Sequence, residues 1–387
     1  KMKIERLLFE DKNIIKDFFP LTFTRPSAEL RAGILTFAER WQRLLGVTQV
    51  SFLTADYLQE KYPYTGASEE ITLSIYANFL PTPRLLERLG SLEVGESIAY
   101  QGKTLVFLGK SITLSSIPPI EWEEPLVVFE KPTDLFTYND KAIDFDFELL
   151  TKGRTSAPLS PTNGFLGDRA DLFIEEGAKI EFATLNCQKG KIYIGKDAEV
   201  MEGSHLRGPI ALCEHATVNM GAKLYGATTI GPYSKVGGEI SNSVIWGYSN
   251  KGHDGFLGNS ILGQWCNLGA DTNVSNLKNT YNTIQLWDYQ KGDYTSSGLQ
   301  FCGVLMGDHS KTAINTQINS GTTIGVFANL FSAGFPSKYI PNFAWGASAE
   351  KYRLEEAFAV AERVMARRGI AFDEKEQDIL QWLFDNQ

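Results

Sequence analysis

The stretch that decides the fold runs from Ile194 to Val236 and reads IGKDAEVMEGSHLRGPIALCEHATVNMGAKLYGATTIGPYSKV. A branched aliphatic residue returns at every sixth position, and eight follow one another: Ile194, Val200, Leu206, Leu212, Val218, Leu224, Ile230, Val236. Two later runs keep this spacing: Leu262, Leu268, Val274, then Ile318, Ile324, Leu330. A repeat of six fits neither one helical face nor a plain strand. It indicates a short strand and a turn per repeat, stacked so that the aliphatics form a buried column.

A sandwich of alternating strands is the competing interpretation of the same pattern. Eight aliphatics in phase argue against it, because a sandwich imposes no period of six. The turn position also favours stacked coils, since small residues follow four positions after the aliphatic: Ala198, Ser204, Ala216, Ala222, Thr228, Ser234.

The first part of the chain follows a different pattern, in which short apolar runs alternate with helical stripes. The apolar runs predict strands at residues 4–9, 50–53, 71–80, 104–108 and 126–129. A helical stripe over residues 34–45 stops at Gly46, and Thr82 with Pro83 has the composition of a helix start. This alternation predicts a Rossmann-like α/β domain with a mainly parallel sheet. The predicted parts are an α/β domain (1–153), a linker (154–177), the repeat domain (178–346) and C-terminal helices (347–387).

Composition narrows the function classes. The net charge is -9 with basic residues scattered, which argues against nucleic-acid binding. No apolar run approaches the length of a membrane span, and no signal peptide is recognisable, so we expect a cytoplasmic protein. The cysteines have neither the spacing of metal ligands nor that of a disulfide framework, and we expect no metal site from them: Cys187, Cys213, Cys266, Cys302.

The hexapeptide pattern resembles that of the left-handed parallel β-helix, found in acyltransferases and in sugar nucleotidyltransferases. The resemblance covers about residues 192–344. It implies a triangular prism with three hexapeptides per coil, and a homotrimer with sites in the clefts between subunits. An insertion at residues 277–301 interrupts the repeat, and an interruption of that length is typical of a functional loop.

The stretch from Asn250 to Asn279 carries polar side chains that the repeat does not require. His253 is followed by an aromatic residue three positions on, by Asn-Leu-Gly-Ala starting at Asn267, and by Asn276. This order resembles the acetyltransferase half of the bifunctional enzymes that make UDP-N-acetylglucosamine. It is also similar to related archaeal sugar-1-phosphate nucleotidyltransferases that carry an amino-sugar acetyltransferase.

The resemblance implies a role for each of these residues. His253 corresponds to the base that takes a proton from the sugar amine as the amine attacks acetyl-CoA, and an imidazole titrates close to neutral pH. Asn267 and Asn276 correspond to asparagines that orient the sugar. Lys278 lies near the position of a positively charged residue that binds the sugar phosphate. Acetyl-CoA would pass the pair Gly269 and Ala270. The alternatives are a surface histidine and ladder-forming turn asparagines.

The stretch also departs from the family. Phe256 stands where the family has a tyrosine that contacts the phosphate, Asp271 replaces a glycine, and Ser241 stands in for a lysine. These changes leave the acceptor sugar open. Because Leu257 and Gly258 form the repeat pair, we expect Leu257 to point inward and Phe256 to face the site.

The segment from Phe19 to Leu30, FPLTFTRPSAEL, resembles the Pro-Leu-Thr segment of sugar-phosphate nucleotidyltransferases. The family precedes it with a glycine-rich loop that holds a nucleoside triphosphate, whereas residues 9–17 contain no glycine. Arg25 stands at the position of the family lysine, and Asn78 at that of the aspartate that holds Mg²⁺. The nucleotide-binding candidates are Lys16, Arg25 and Asn78, with surface charges on a loop as the alternative interpretation.

The sequence therefore predicts a transferase with a nucleotidyltransferase-like domain and a left-handed β-helix. The first hypothesis is acyl transfer from acetyl-CoA to an amino-sugar 1-phosphate in nucleotide-sugar biosynthesis. The second is an active nucleotidyltransferase, using UTP or dTTP with Mg²⁺, whose β-helix is structural or regulatory. The third is a non-catalytic paralogue that binds a sugar nucleotide.

Overall fold

A computed structural model describes residues 3–110, 117–347 and 350–387 of the chain. The strands of the first domain are β1 (Arg6–Glu10), β2 (Val50–Leu53), β3 (Thr72–Ile75), β4 (Phe79–Leu80), β5 (Ser97–Tyr100), β6 (Lys103–Gly109), β7 (Ile120–Trp122) and β8 (Val127–Val128). Six of them form a sheet with the order β2-β1-β3-β6-β5-β7. Strands β4 and β8 form a separate antiparallel pair.

This sheet is mixed, and three of the five strand pairs described are parallel, which agrees with the expectation of a mainly parallel sheet. Strand β1 is parallel to β2 and β3, but β6 is antiparallel to both β3 and β5. A tight turn at Gln101–Gly102 joins β5 to β6, so no crossover helix separates them and the pair must be antiparallel.

The first two helices of this domain have side-chain caps, and the second begins at the predicted position. Helix α1 (Phe37–Leu45) starts with a capping box between Thr36 and Glu39 and ends at Gly46, whose φ is 66°. Helix α2 (Pro83–Leu89) starts at Thr82, whose side chain accepts a hydrogen bond from Leu85 N. Helices α3 (Asp134–Thr137) and α4 (Asn139–Thr151) follow and lead towards the repeat domain.

The repeat domain is a left-handed parallel β-helix with three faces, which confirms the predicted fold. Face I contains Leu172–Ile174, Ile192–Ile194, Ile210–Leu212, Thr228–Ile230, Val244–Ile245, Ile261–Leu262, Val304–Met306, Thr322–Ile324 and Tyr339–Ile340. Face II contains Lys179–Ile180, Glu199–Val200, Thr217–Val218, Lys235–Val236, Asn250–Lys251, Asn267–Leu268, Lys311–Thr312 and Asn329–Leu330. Face III contains Gly164–Leu166, Thr184–Asn186, His205–Arg207, Lys223–Tyr225, Glu239–Ser241, Phe256–Gly258, Asn273–Val274 and Gln317–Ile318.

The predicted aliphatic column forms the interior of this prism, and the residues of both later runs join it. Leu257 is fully buried and pairs with Ile240 and Val274, so it points inward as expected and Phe256 points outward. The prism begins at Gly164, before the predicted boundary at 178. The predicted linker 154–177 therefore contains the first two strands of the prism, because Gly164–Leu166 and Leu172–Ile174 already pair with the following coil.

The turns between faces I and II carry a ladder of stacked rings: His215, Tyr233, Tyr248, Trp265, His309, Phe327 and Phe343. All of these residues have a positive φ near 60°, which aligns their side chains along the prism axis. His309 is buried within the ladder, and burial lowers the pKa of its imidazole to about 3. It is therefore a neutral packing group.

The first domain packs against the outer side of face I. Phe147 and Ile143 of α4 contact Tyr193 and Ala211 there. The insertion also joins this contact, since Ile284 is buried in the core of the first domain and the Trp287 ring stacks on Tyr339 at 4.1 Å. Its hairpin, Gln285–Asp288 with Asp293–Ser296, therefore ties the two domains together.

The C-terminal helices cover the last turns of the ring ladder. Helix α5 (Leu354–Ala366) and helix α6 (Glu374–Asp385) form a cluster with Phe327 and Phe343. Asp373 caps α6 by accepting a hydrogen bond from Glu376 N. In the part of the chain that the structure describes, every helix is too short or too polar to cross a membrane.

Candidate active site

The predicted base lies on the turn from face II to face III, in the loop Gly252–Gly255. Each of its four carbonyl oxygens accepts a hydrogen bond from a different donor, which are Asn219 Nδ2 at 2.9 Å, Lys251 Nζ at 2.7 Å, Asp271 N at 3.0 Å and Glu239 N at 3.3 Å. A loop with every carbonyl bound has little freedom to move.

The His253 side chain itself is exposed and makes no hydrogen bond within the described residues. The imidazole keeps both ring nitrogens available, and in its neutral form one of them can accept a proton from a substrate.

Asn267 lies on the outer side of face II, one coil further along the prism. It is directly in register with Asn250 on one side and with Lys311 on the other. Its side chain is half-buried and has no hydrogen-bond partner in residues 3–110, 117–347 or 350–387. Arg368, from the end of α5, donates to Asn250 Oδ1 at 3.3 Å, so the face carries positive charge close to this coil.

Asn276 and Phe256 lie together on the outer side of face III. A methyl group built on Gly258 would fall 2.5 Å from Asn276 Nδ2 and 2.7 Å from Phe256 Cζ. Glycine at 258 is therefore what lets these two side chains lie over the sheet. The Asn276 amide donates to Asn259 Oδ1 at 3.0 Å, which fixes its orientation.

The remaining predicted residues of this site have other surroundings. Gly269 N donates to Thr312 O at 3.0 Å, and Ala270 O accepts from Asn315 N. Both backbones therefore bond to the next coil of the prism. Lys278 lies where the chain leaves face III for the insertion, and it makes no ion pair among the described residues. Burial, and next the charge of Lys278, lower the pKa of Lys338, which places the two ammonium groups in one region.

The structure thus distributes the predicted residues over two corners of the prism and the faces that adjoin them. His253 occupies the corner, Asn267 lies on the adjoining face II, and Phe256 with Asn276 lies on face III. Lys278 lies at the next corner. Lys251 was missed, because the coil that contains it breaks the period of six and hides it from the repeat pattern. The feature that could have identified Lys251 is its alignment with the buried Val236 of the preceding coil.

The first domain has its own cleft, with a volume of about 450 Å³. It lies at the carboxyl ends of the parallel strands β1 and β3, the usual place for a ligand in such sheets. The loop after β1 contributes Glu10, Asp11, Lys12 and Asn13. Lys12 Nζ forms an ion pair with Asp56 Oδ1 at 3.1 Å. Burial raises the pKa of the Asp11 carboxyl above its usual value.

The three nucleotide-binding candidates do not line this cleft. Lys16 lies in another cavity, beside Phe19 and Tyr289. Arg25 is buried and its guanidinium binds Asp308 of the β-helix, so we now assign it to the contact between the domains. Asn78 is fully buried below the sheet edge.

The position of Asn78 does not fit Mg²⁺. Both polar atoms of its side chain are buried and have no hydrogen-bond partner among the described residues, and a neutral amide is a weak ligand for this ion. Within residues 3–110, 117–347 and 350–387, no group of three or more His, Cys, Asp or Glu side chains could hold a metal.

A comparison with known protein families matches the first domain separately from the β-helix. Residues 6–155 match the model of the family described as sugar nucleotidyl transferase. The chain is 30% identical over 145 residues to the bifunctional sugar-1-phosphate nucleotidylyltransferase/acetyltransferase of Sulfurisphaera tokodaii, which covers 37% of this chain and 36% of that relative. It is 22% identical over 177 residues to the bifunctional protein GlmU of Synechococcus elongatus, covering 44% and 35%. The match therefore spans about a third of each relative, and it confirms the resemblance predicted from the sequence.

Two solved structures match part of the chain with low scores. The polySia-specific acetyltransferase NeuO has a TM-score of 0.29 and 11% identity, covering 54% of this chain and 94% of that one. An Arabidopsis UDP-N-acetylglucosamine acyltransferase has a TM-score of 0.21 and 15% identity, covering 56% and 78%. Scores this low do not support a functional comparison.

Proposed function

For a chain whose first domain matches the sugar nucleotidyl transferase family, we propose that the β-helix transfers an acetyl group from acetyl-CoA to an amino-sugar 1-phosphate. The observation that carries the proposal is the free imidazole of His253 on a loop whose four carbonyls are all hydrogen-bonded. Asn267 on face II and Asn276 on face III are the residues that would orient the sugar, in the roles that the family resemblance implies. The acetyltransferase named among the similar proteins supports the same chemistry.

The reaction is a direct transfer within one ternary complex. The sugar amine attacks the thioester carbonyl carbon, His253 accepts the proton that the nitrogen loses, and the C–S bond breaks to release CoA as a thiolate. That thiolate takes up the proton from the imidazolium as the base is restored. A covalent cysteine intermediate is disfavoured, because burial raises the pKa of both Cys266 and Cys302 to about 12.

Face III and its corner with face II support assembly with further copies of the chain. Large apolar side chains are exposed there, with 56% of Leu166, 67% of Phe182, 65% of Met220 and 67% of Ile314 accessible. Face I is covered by the first domain, so face III is the surface that a homotrimer would bury. A second copy seated there would form a cleft beside His253, between the two chains. The unpaired cysteines support a reducing compartment such as the cytoplasm.

The test is acetyl transfer from acetyl-CoA to glucosamine 1-phosphate and to related amino-sugar phosphates. We expect turnover by the native chain and a loss of about 10²- to 10⁴-fold in kcat for His253→Ala. His215→Ala is the matched control, since His215 lies on another turn of the prism beside Asp197. Equal rates for the two variants would remove His253 from the mechanism.

The cleft in the first domain supports a second candidate function, nucleotidyl transfer to a sugar 1-phosphate. Both the family match and the position of the cleft favour it. It predicts pyrophosphate release from UTP or dTTP in the presence of Mg²⁺. If neither reaction occurs, calorimetry with acetyl-CoA and with each sugar nucleotide tests the third hypothesis, a non-catalytic binding protein.

A further inference from the structure

Lys251, inside the β-helix, is a residue that the aliphatic column does not explain. Lys251 pairs with Val236 on face II and is only 2% exposed. Its ammonium group donates to two backbone carbonyls, that of Gly237 at 2.9 Å and that of His253 at 2.7 Å. Burying an ammonium group costs free energy unless it is hydrogen-bonded. The presence of a lysine at this interior position therefore needs an explanation.

The regular coils show what these carbonyls would otherwise bind. At the corner between faces II and III, a backbone N–H of one coil bonds to the carbonyl of the coil before it. Gly221 N bonds to Glu202 O at 3.1 Å, and Asn315 N bonds to Ala270 O at 2.8 Å. The second residue of each corner is satisfied in this way.

The His253 carbonyl lacks that partner. Its corner has the four residues Gly252–Gly255, and in the following coil Asp271 N bonds to Asp254 O, the third residue of that corner, so the carbonyl of the second residue, His253, is left without a backbone donor. The corner of the preceding coil consists of Gly237 and Gly238 alone. Lys251 supplies the missing donor from inside the prism.

We propose that Lys251 is a positioning residue, which fixes the backbone of His253 from within the core and so sets the place of the imidazole. The inference deepens the proposed acetyl transfer and rests on it. A methyl group at Gly238 would lie 2.8 Å from both the His253 oxygen and Lys251 Nζ, so the short corner leaves room for this contact alone. Lys251 does not reach the surface, and it acts through His253.

Lys251→Met tests the proposal, because methionine suits the apolar column but cannot donate a hydrogen bond. We expect faster hydrogen exchange of the amides in residues 252–256, and a fall in kcat of about 10²-fold with KM for acetyl-CoA unchanged. Val200→Ala is the control for general destabilisation, since it lies in the same column near the start of the prism. We expect it to leave both readouts close to those of the native chain.

Two results would overturn the inference. One is unchanged exchange at residues 252–256 in Lys251→Met, which needs no catalytic activity to be measured. The other is a kcat that falls no further than in Val200→Ala while His253→Ala is inactive. If instead His253→Ala retains full activity, the proposed base is wrong, and exchange alone still decides whether Lys251 holds the loop.

Discussion

Arg25 of the first domain and Asp308 of the β-helix form a buried ion pair, with Nη2 and Oδ2 2.5 Å apart and both side chains 6% exposed. Arg25 Nη1 also bonds to Asp308 Oδ1, and the guanidinium lies 4.6 Å from the centre of the Trp246 ring. Thr24 donates to the same carboxylate at 2.9 Å. Burial raises the pKa of the carboxyl, but Arg25 outweighs it, and the pKa of Asp308 is lowered.

Breaking this ion pair should destabilise the contact between the two domains, so that they no longer unfold in one transition. Arg25→Met leaves Asp308 buried without its counter-ion, and we expect the free energy of unfolding to fall by about 3–5 kcal/mol. Urea denaturation of the full chain measures this loss, and a second transition would show that the domains no longer unfold together.

The double variant Arg25→Met/Asp308→Leu is the informative comparison. Replacing both charges with apolar groups should recover most of the loss, because the unpaired charge is the main cost. A double variant as unstable as the sum of the two single variants would show that the pair is not a coupled unit.

Gly238→Ala should disturb the loop of His253 specifically. Its φ of 70° disfavours any side chain by about 1–2 kcal/mol, and the new methyl group would also collide with the His253 oxygen. Gly221 is a matched control on the preceding coil, since its φ is 71° and a methyl group there meets no atom within 4 Å. We expect Gly238→Ala to lower the thermal midpoint more than Gly221→Ala. An equal fall in thermal midpoint for the two variants would show that backbone strain accounts for the whole effect. The methyl group at residue 238 would then not collide with the His253 oxygen.

The sequence predicts the prism well, because its period depends on residues six apart, which a single chain displays directly. It does not predict the role of Arg25, whose partner Asp308 is 283 positions away. From sequence alone, an arginine beside Pro26 looks like a phosphate ligand. Lys251 is hidden for a related reason, since the short corner at Gly237 shifts the phase and makes an interior position look like a surface one.

The candidate site is predictable to the extent that it follows the strands. The pleat places Phe256 outward once Leu257 is inward, so the sequence identifies the face correctly. It cannot show that Asn276 folds over Gly258 to meet Phe256, because that contact depends on where the insertion leaves the prism.

Phe256→Tyr should improve binding of a phosphorylated acceptor. The ring lies on the open side of face III beside Asn276, and a hydroxyl added there would meet the phosphate that the family tyrosine contacts. A hydrogen bond to a charged group contributes about 1.5–3 kcal/mol, so we expect KM for the sugar phosphate to fall by roughly tenfold or more. KM for acetyl-CoA should stay the same. An unchanged KM for the acceptor would mean that the phosphate binds elsewhere.

The buried lysines should make stability rise with pH above neutrality. Burial lowers the pKa of Lys251 from 10.5 to about 8, and the neighbouring Asp254 only partly opposes this. Below pH 8 the folded and unfolded chains both hold the proton. Between pH 8 and 10.5 the unfolded chain alone retains it, so the folded state gains about 1.4 kcal/mol per pH unit.

The measurement is the free energy of unfolding from pH 7 to 10 for the native chain and for Lys251→Met. Other groups titrate in this range, so the difference between the two curves is the relevant quantity, and we expect it to grow above pH 8 in favour of the native chain. Lys311, whose pKa burial also lowers to about 8, provides a second example through Lys311→Met. Parallel curves for the native chain and Lys251→Met would contradict a lowered pKa of Lys251 in the folded chain.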